Sequence, residues 1–436
     1  MKFNWIFTRK HMFIKVLLDI SLLVFVYNFF YSSTKFLSFQ LYALIAIILI
    51  IVGYTVGKYQ KYHNYNGINI YYYIKTCAIE YLVSSSAIGI IFLILKENIN
   101  YHLISFLLLY LVFSYVFNFV YDLIFDQYSK KENHNWLFIG NREELNHIKK
   151  ITSDYKDKNT LHPYQNKSSS NKKLFPYKGI VYLDLEEANN FIKNNYPFLN
   201  IKKLSLIYWC ERYIQTIPSI LINENQDFQE ILNPNINDSI QIRIKRIIDI
   251  FFSISLLLIT SPIIILVSLI IKIEDGGPIF YSQIRTGIYG KTFKIFKLRS
   301  MKINSEKEGP QWSSRHDSRV TTVGKFIRKA RIDELPQLFS VIVGEMSLIG
   351  PRPERPEIEE KLIKEIPHYR LRNKFKPGIS GWAQVNYPYG ASIEDSKIKL
   401  GYDLYYIKNY SFLLDALIFV KTIKVVLLFS KSDPKN

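Results

Sequence analysis

Residues 241–277 read QIRIKRIIDIFFSISLLLITSPIIILVSLIIKIEDGG, an apolar run with Ser261-Pro262 at its centre. Its length suffices for one helical crossing of a hydrocarbon core. Two features point to a different path. Proline removes a backbone donor and clashes with the preceding turn, so a sharp break is expected at Ser261-Pro262. Basic residues also flank both ends, Arg243, Lys245 and Arg246 before the run and Lys272 at its close, which leaves no inside–outside asymmetry. A helix–break–helix over about 247–273 that dips into one leaflet and returns explains both; a kinked spanning helix is the alternative. Backbone groups freed at the break then need Ser261 or neighbouring protein as partners, because lipid offers none.

Directly after this run comes a block dense in cations, GGPIFYSQIRTGIYGKTFKIFKLRSMK at 276–302 and GPQWSSRHDSRVTTVGKFIRKARIDELPQLFSVIVGEMSLIGPRPERPE at 309–357. Arg285, Lys297, Arg299, Arg315, Arg319, Arg328, Arg331 and Arg352 surround the adjacent acids Asp333 and Glu334. Carboxylates among guanidinium groups stay ionised, and the same cations can hold a phosphate beside them. The juxtaposition predicts phosphate chemistry next to a membrane. Were the pair on an α-helix, the two side chains would point about 100° apart, which suits two different tasks better than one shared acid/base task. Arg328, five residues earlier, would on the same helix be offset from Asp333 by about 140°.

The rest of the chain supplies the setting. Its 436 residues carry a formal net charge of +19, which in a soluble protein would suggest nucleic acid or anionic lipid as a partner; the long apolar runs favour lipid. Two cysteines, Cys77 and Cys210, give neither a disulfide framework nor metal-ligand spacing. Apolar runs at about 16–31, 36–56, 77–95 and 101–125 follow a basic start (Lys2, Arg9, Lys10, Lys15). No small-residue cleavage site follows the first run, so it is expected to be an anchor and not a removed signal. Lys and Arg alternate between the connecting loops in a way that places both ends of this four-helix unit in the cytoplasm. Asp19 and Glu80 lie within or at the ends of these runs, where an interfacial or interhelical contact is expected before an ion pathway.

Residues 133–230 are soluble in character. NWLFIG, GIVYLD and LSLIYW read as strands, with helical REELNHIKK and LEEANNFIKNN between them, which predicts a small parallel α/β unit. Gly140 alone makes no dinucleotide fingerprint. The polar stretch 154–173, with Ser168, Ser169 and Ser170, reads as a loop.

Several motifs stand in one order over 241–430: K-R-x-x-D at 245–249, the Ser-Pro centre, EDGGPIFYSQ, FKIFKLRSM, DELPQ, GEMSLIGPRPE and KPGISGWAQVN. Together they resemble the bacterial sugar transferase family, the monotopic phosphoglycosyl transferases. The four preceding helices and the α/β unit resemble the long form of that family, which starts capsule, O-antigen and exopolysaccharide repeat units.

The resemblance implies transfer of a sugar 1-phosphate from a UDP-sugar donor to polyprenyl phosphate, commonly undecaprenyl phosphate, with release of UMP. By the same resemblance Asp333 is the nucleophile that forms a phosphosugar enzyme, and Glu334 holds Mg²⁺. Arg328, Arg352, Lys297 and Arg299 are the expected phosphate ligands; Arg352 sits in Gly350-Pro351-Arg352-Pro353, a loop stiffened by two prolines, and its fixed fork of donors suits a phosphate clamp. The expected architecture joins a membrane α-helical bundle to α/β structure. It comprises four N-terminal transmembrane helices (1–130), a small Rossmann-like parallel-sheet domain (131–235) and a mostly helical catalytic domain (241–436) with the re-entrant broken membrane helix. The expected place is the bacterial inner (cytoplasmic) membrane, multi-pass, with the catalytic domain on the cytoplasmic side. Membrane lipid is an expected partner, a homodimer through the central region is expected of the long form, and nucleic acid is not expected. A membrane-anchored basic binding or scaffold protein without catalysis is the competing reading; it accounts for the cations but leaves DELPQ and the Gly-Pro motifs without a purpose.

Other residues are read more plainly. His316-Asp317 is expected in an exposed turn, and Trp382 either borders the base or sugar pocket or packs in place. Asn386 to Ser392 is assigned to a loop near the substrates on the resemblance alone. YDLYYIKNYSFLLDALIFVKTIKVVLLF at 402–429, apolar with Tyr and Lys, is expected to lie in the membrane interface.

Overall fold

The structure, a computed structural model, describes residues 9–33, 38–59, 70–95, 101–129, 135–152, 160–163, 177–197, 199–222, 240–303, 305, 317–387, 390 and 392–427. Arg315, His316, the serine run at 168–170 and most of the lysines used to orient the first four helices lie outside these residues. The chain divides into two compact units, one up to Asn135 and one from Trp136 onward.

The first unit is four helices, α1 (Lys10–Ser33), α2 (Phe39–Val56), α3 (Ile70–Leu95) and α4 (Tyr101–Ser129). α1 begins six residues before the apolar run at about 16–31 and reaches 24 residues, long enough to cross a hydrocarbon core. Ile45, Leu49, Phe106 and Tyr110 are fully buried between the helices, while Phe25 and Leu93 are 69% and 78% exposed. Large apolar side chains facing outward over whole helices suit a lipid surround. Asp19 and Glu80 point inward and make interhelical contacts, not interfacial ones.

The second unit opens with a four-stranded sheet of order β2-β1-β3-β4. Its strands are β1 (Asn135–Ile139), β2 (Thr160–Pro163), β3 (Ile180–Tyr182) and β4 (Lys203–Ser205). β1 runs parallel to β3 and β3 to β4, with α5 (Arg142–Thr152) and α6 (Leu185–Asn195) in the expected crossover positions. Two expectations are corrected. Part of the polar stretch read as a loop forms β2. The third strand stops at Ser205, because the Ser205 hydroxyl accepts from Tyr208 N and turns LIYW into helix, burying Leu206 and Trp209 on one side.

Residues Ile240–Asp275 form one continuous helix, α7, with Pro262 inside it. Helical backbone continues through Pro262, so the two expected halves are not separated by a non-helical segment. The reason is local: Pro262 cannot donate to the carbonyl of Leu258, and the Ser261 hydroxyl donates to that same carbonyl at 2.8 Å. Thr260 Oγ1 likewise donates to Leu256 O. No residue between Ser253 and Val267 is buried, whereas both ends are anchored in the unit. At the first end Asp249 accepts from Ser347 Oγ and Leu348 N, and Arg246 donates to the carbonyls of Val341 and Ile342. At the second, Val267 and Ile271 pack with Leu298 and Ile327, and Glu274 accepts from Val323 N.

The remainder builds the scaffold of the site. β5 (Phe280–Thr286) and β6 (Thr292–Leu298) form an antiparallel hairpin. α8 (Thr322–Lys329), a 3₁₀ helix over Ile332–Gln337 and α9 (Leu338–Val343) follow. β7 (Ser347–Ile349) then pairs in parallel with β8 (Gly378–Ser380). α10 (Pro356–Glu365), α11 (Trp382–Asn386), α12 (Ile393–Lys408) and α13 (Phe412–Leu427) complete the unit. The interfacial reading of 402–429 is corrected for its first part: residues 400–407 are all buried, because α10, α11 and the 3₁₀ turns at Ser219–Leu221 and Tyr369–Lys374 pack around their helix, α12. Only α13 keeps a half-exposed apolar face.

Candidate active site

Asp333 and Glu334 lie in the 3₁₀ turn between α8 and α9, and both are more than nine-tenths buried. The turn is not the α-helix assumed from the sequence. α8 ends at Lys329, and Arg331 takes a left-handed conformation with φ 59°, which breaks the helical phase. With three residues per turn, neighbouring side chains diverge by about 120°. The break also removes the unfavourable offset of Arg328, which stands close enough to Asp333 to favour its charged form.

The two acids have unlike surroundings. Glu334 is held by three cations: Arg352 Nη2 at 2.6 Å and Lys297 Nζ at 3.2 Å from Oε1, and Arg331 Nη1 at 3.6 Å from Oε2. Burial disfavours its charge, but Arg352, Lys297 and Arg331 outweigh that and hold the carboxyl well below the usual carboxylate range. Asp333 Oδ1 is buried and has no hydrogen-bond partner among the described residues. Burial first, and then the ionised Glu334, push its carboxyl up, against the pull of Lys297, Arg328 and Arg331. One acid is thus a fixed anion in a cationic cradle, and the other a poorly solvated carboxylate with a free oxygen.

The expected phosphate ligands separate into two groups. Lys297 and Arg352 are brought onto the acid pair, and burial pushes the Lys297 ammonium down even though Glu334 favours its charge. Arg328 stands nearby with Nε on Ser300 Oγ at 3.0 Å. Arg299 turns away from the pair to Asp275 at the end of α7, leaving Nε and Nη1 buried without partners among the described residues. Gly277 permits this placement, since a Cβ there would come within 2.3 Å of Arg299 Nη1. Ser261 and Pro262 stay at the middle of α7.

Mg²⁺ on Glu334 is compatible with the donor chemistry. One ionised carboxylate oxygen donor, completed by substrate phosphate oxygens, is a common magnesium arrangement. Such an ion would exchange with Arg352 or Lys297 on the carboxylate, replacing one positive partner by another. Among the described residues no group of three or more His, Cys, Asp or Glu side chains could hold a metal by itself.

The Arg352 loop is braced by residues that the sequence left unassigned. Arg372 Nη2 donates to Arg352 O at 2.7 Å, and the same guanidinium bonds Asp403 Oδ2 at 2.9 Å and the Tyr369 hydroxyl at 2.7 Å. Arg285 Nη1 donates to Pro353 O, and Thr286 N to Glu354 O. Asp403 is pushed up to about 6 by burial, against the pull of Arg372. It is the one acid in GYDLYYI, a signal that could have marked it. Trp382 is buried, stacks on Tyr405 and donates to Gln215 O at 3.1 Å, so it packs. Asp317 pairs with Arg319 within a turn. Asn386 bonds Lys421 and the carbonyl of Trp382.

A family profile described as bacterial sugar transferase matches residues 240–429. A protein of Aeromonas hydrophila named UDP-N-acetylgalactosamine-undecaprenyl-phosphate N-acetylgalactosaminephosphotransferase is 48% identical over 184 residues, 42% of this chain and 44% of that protein. Two proteins named UDP-glucose:undecaprenyl-phosphate glucose-1-phosphate transferase are also similar. The Klebsiella pneumoniae protein is 39% identical over 181 residues, 41% of this chain and 39% of its own. The Caulobacter vibrioides protein is 36% identical over 185 residues, 42% of this chain and 69% of its own. The match thus spans less than half of the Aeromonas and Klebsiella proteins.

Proposed function

The chain belongs to the bacterial sugar transferase family, and from that premise we propose that it transfers a sugar 1-phosphate from a UDP-sugar to undecaprenyl phosphate at a membrane. The observation that carries the reading is the division of the acid pair: Glu334 is held by Arg352, Lys297 and Arg331, while Asp333 keeps a buried oxygen without a partner among the described residues.

In this reading the ionised Asp333 oxygen attacks the sugar-bearing phosphorus. A P–O bond to aspartate forms, the P–O bond to UMP breaks, and UMP leaves with the electron pair. An oxygen of the lipid phosphate then attacks the same phosphorus and releases Asp333 as a carboxylate. A desolvated carboxylate is a stronger nucleophile than a hydrated one, and the cations beside it favour charge developing on the phosphoryl oxygens. Arg352, Lys297 and Arg328 orient the two phosphorylated substrates, with Arg352 set by its braced loop. Glu334 is the residue that would hold Mg²⁺, which when bound supplies charge neutralisation for the diphosphate.

The attachment of both ends of α7 to the segment 298–348 supports a helix that enters and leaves one leaflet. A straight helix of 36 residues spans about 54 Å, and a crossing would carry its ends to opposite faces of the bilayer. The site is assigned to the cytoplasmic side of the inner membrane, where UDP-sugars are made, and the product to the start of exopolysaccharide, capsule or O-antigen assembly. Homodimerisation through the central α/β region is part of the same reading.

The test is UMP release by purified full-length protein from UDP-glucose and from UDP-N-acetylgalactosamine, the sugars in the relatives' names. Turnover is expected only with undecaprenyl phosphate and Mg²⁺; with the lipid omitted, UMP release is expected to stop after a single-turnover burst. Full turnover by Asp333→Asn would remove Asp333 from the mechanism.

A further inference from the structure

The four-helix unit contains ionisable groups that sugar transfer does not use. Asp19 on α1, Lys58 just beyond α2 and Glu80 on α3 meet in its interior, each 2% exposed or less. Lys58 Nζ lies 2.8 Å from Asp19 Oδ2 and 3.3 Å from Glu80 Oε1. Gly53 leaves the space for this meeting, since a Cβ there would stand 3.1 Å from Glu80 Oε1 and 3.2 Å from Lys58 Cδ. The charges do not match: two carboxyls face one ammonium. The neighbouring pair, Lys15 and Asp122 at 2.6 Å, is balanced one to one and has no cation to spare. An unmatched carboxylate in an apolar interior takes up a proton in preference to staying charged.

The donors decide which carboxyl does so. Besides Lys58, Asp19 accepts from the Tyr59 and Tyr110 hydroxyls on Oδ2 and from Ser114 Oγ and Asn118 Nδ2 on Oδ1. That set satisfies an anion. Among the described residues Glu80 has only the longer Lys58 contact on Oε1 and the Tyr115 hydroxyl at 2.7 Å from Oε2. A hydrogen on Glu80 Oε2 can be donated to the Tyr115 oxygen. Thr76 stands beside Tyr115, and its Oγ1 donates to Tyr73 O at 3.1 Å. A hydrogen on Glu80 thus has an acceptor in the Tyr115 oxygen. Among the described residues the titratable groups facing Glu80 are Asp19 from α1, Lys58 and Tyr59 just beyond α2, Cys77 one turn back on α3, and Tyr110 and Tyr115 from α4. Lys58 is the one cation among these.

We propose that the membrane unit is a proton-binding site: one proton resides on Glu80 Oε2 at neutral pH, and Glu80 is a neutral carboxylic acid within the bundle. The ligand is a proton from solvent, held by an O–H bond and by a hydrogen bond to the Tyr115 oxygen.

Infrared spectroscopy of the full chain in nanodiscs at about pH 8, above the ordinary carboxylate range, reads this directly. The expected result is a carbonyl-stretch band of a protonated carboxylic acid that shifts to lower frequency with ¹³C-glutamate labelling and not with ¹³C-aspartate. Glu80→Gln keeps both hydrogen-bonding ends and is expected to lose the band. Asp19→Asn is expected to lose it too, because Lys58 and Glu80 then balance. A wild-type protein without the band, a band that moves with ¹³C-aspartate, or one that survives Glu80→Gln overturns the proposal. So does a band that emerges only when Na⁺ is exchanged for a bulky organic cation, which would make a metal ion the occupant.

Discussion

Arg352 Nη2 lies 2.6 Å from Glu334 Oε1, so the proposed phosphate clamp and the proposed metal ligand hold each other before any substrate arrives. The arginine is preorganised at the acid pair; a phosphate can replace Glu334 as its partner, and a metal can replace the arginine on Glu334. Arg352→Met is expected to lower kcat/KM for UMP release by about a hundredfold, roughly 3 kcal/mol, the usual loss for one charge-stabilising donor. Arg352→Lys is expected to recover little, because an ammonium cannot reproduce the planar fork. Wild-type rates in Arg352→Met would show that the arginine serves only to neutralise Glu334.

The unlike acids make a pH prediction with opposite signs. Asp333 must be ionised to attack, and its carboxyl is pushed up by burial and by the charge on Glu334. The single-turnover burst should therefore fall as pH is lowered through a limb above the ordinary aspartate value of about 3.9. Glu334→Gln removes a neighbouring negative charge and should move that limb to lower pH. Lys297→Met removes a positive one and should move it to higher pH. Burst-rate profiles that shift in the same direction for both variants would contradict the electrostatic assignment.

The glycine motifs yield a stability prediction. β7 and β8 bring Gly350 and Gly378 so close that a Cβ on Gly378 would stand 2.1 Å from Gly350 N. That neighbour is backbone and cannot swing aside. Gly378→Ala is expected to lower the unfolding midpoint in detergent by an amount equivalent to roughly 1–3 kcal/mol, the range for overpacking. An unchanged midpoint would mean that the pair can separate freely.

Much of the site was legible from residue order alone. The cation-rich block, the acid pair and the proline-stiffened Arg352 loop are local features, and the structure brings Lys297, Arg328 and Arg352 to the pair. What the sequence concealed depends on long-range contacts or on single backbone angles. The positive φ of Arg331 defeats a helical-phase argument from 328 to 333. Arg299 is drawn to Asp275 by a contact 24 residues away. LIYW satisfies both periodicities, and one Ser205 cap decides for helix. Asp403, 70 residues beyond Asp333 in the chain, reaches the site through Arg372.

The middle of α7 offers a test of its own. Ser261 Oγ donates to Leu258 O, the carbonyl that Pro262 leaves without an N–H. Ser261→Ala should orphan that carbonyl in an apolar setting and destabilise the protein by about 1–3 kcal/mol. Pro262→Ala restores the N–H, so Ser261→Ala/Pro262→Ala should be more stable than Ser261→Ala alone. Thermal unfolding in detergent measures the cycle, and strictly additive effects would show that the two residues do not share this carbonyl.

Arg372 is the last element of the site to be tested, and it acts through another residue. Its guanidinium joins Asp403 on α12 to the backbone of Arg352, with both residues of the anchor buried. Arg372→Met should release the Arg352 loop and lower kcat more than it raises KM, because substrate still meets the same cations but no longer in one geometry. The decisive comparison is with Arg352→Met. If Arg372 serves to position Arg352, then Arg352→Met/Arg372→Met should be about as slow as Arg352→Met alone, since a clamp already removed cannot be misplaced. Multiplicative losses in the double variant would instead give Arg372 a role independent of Arg352.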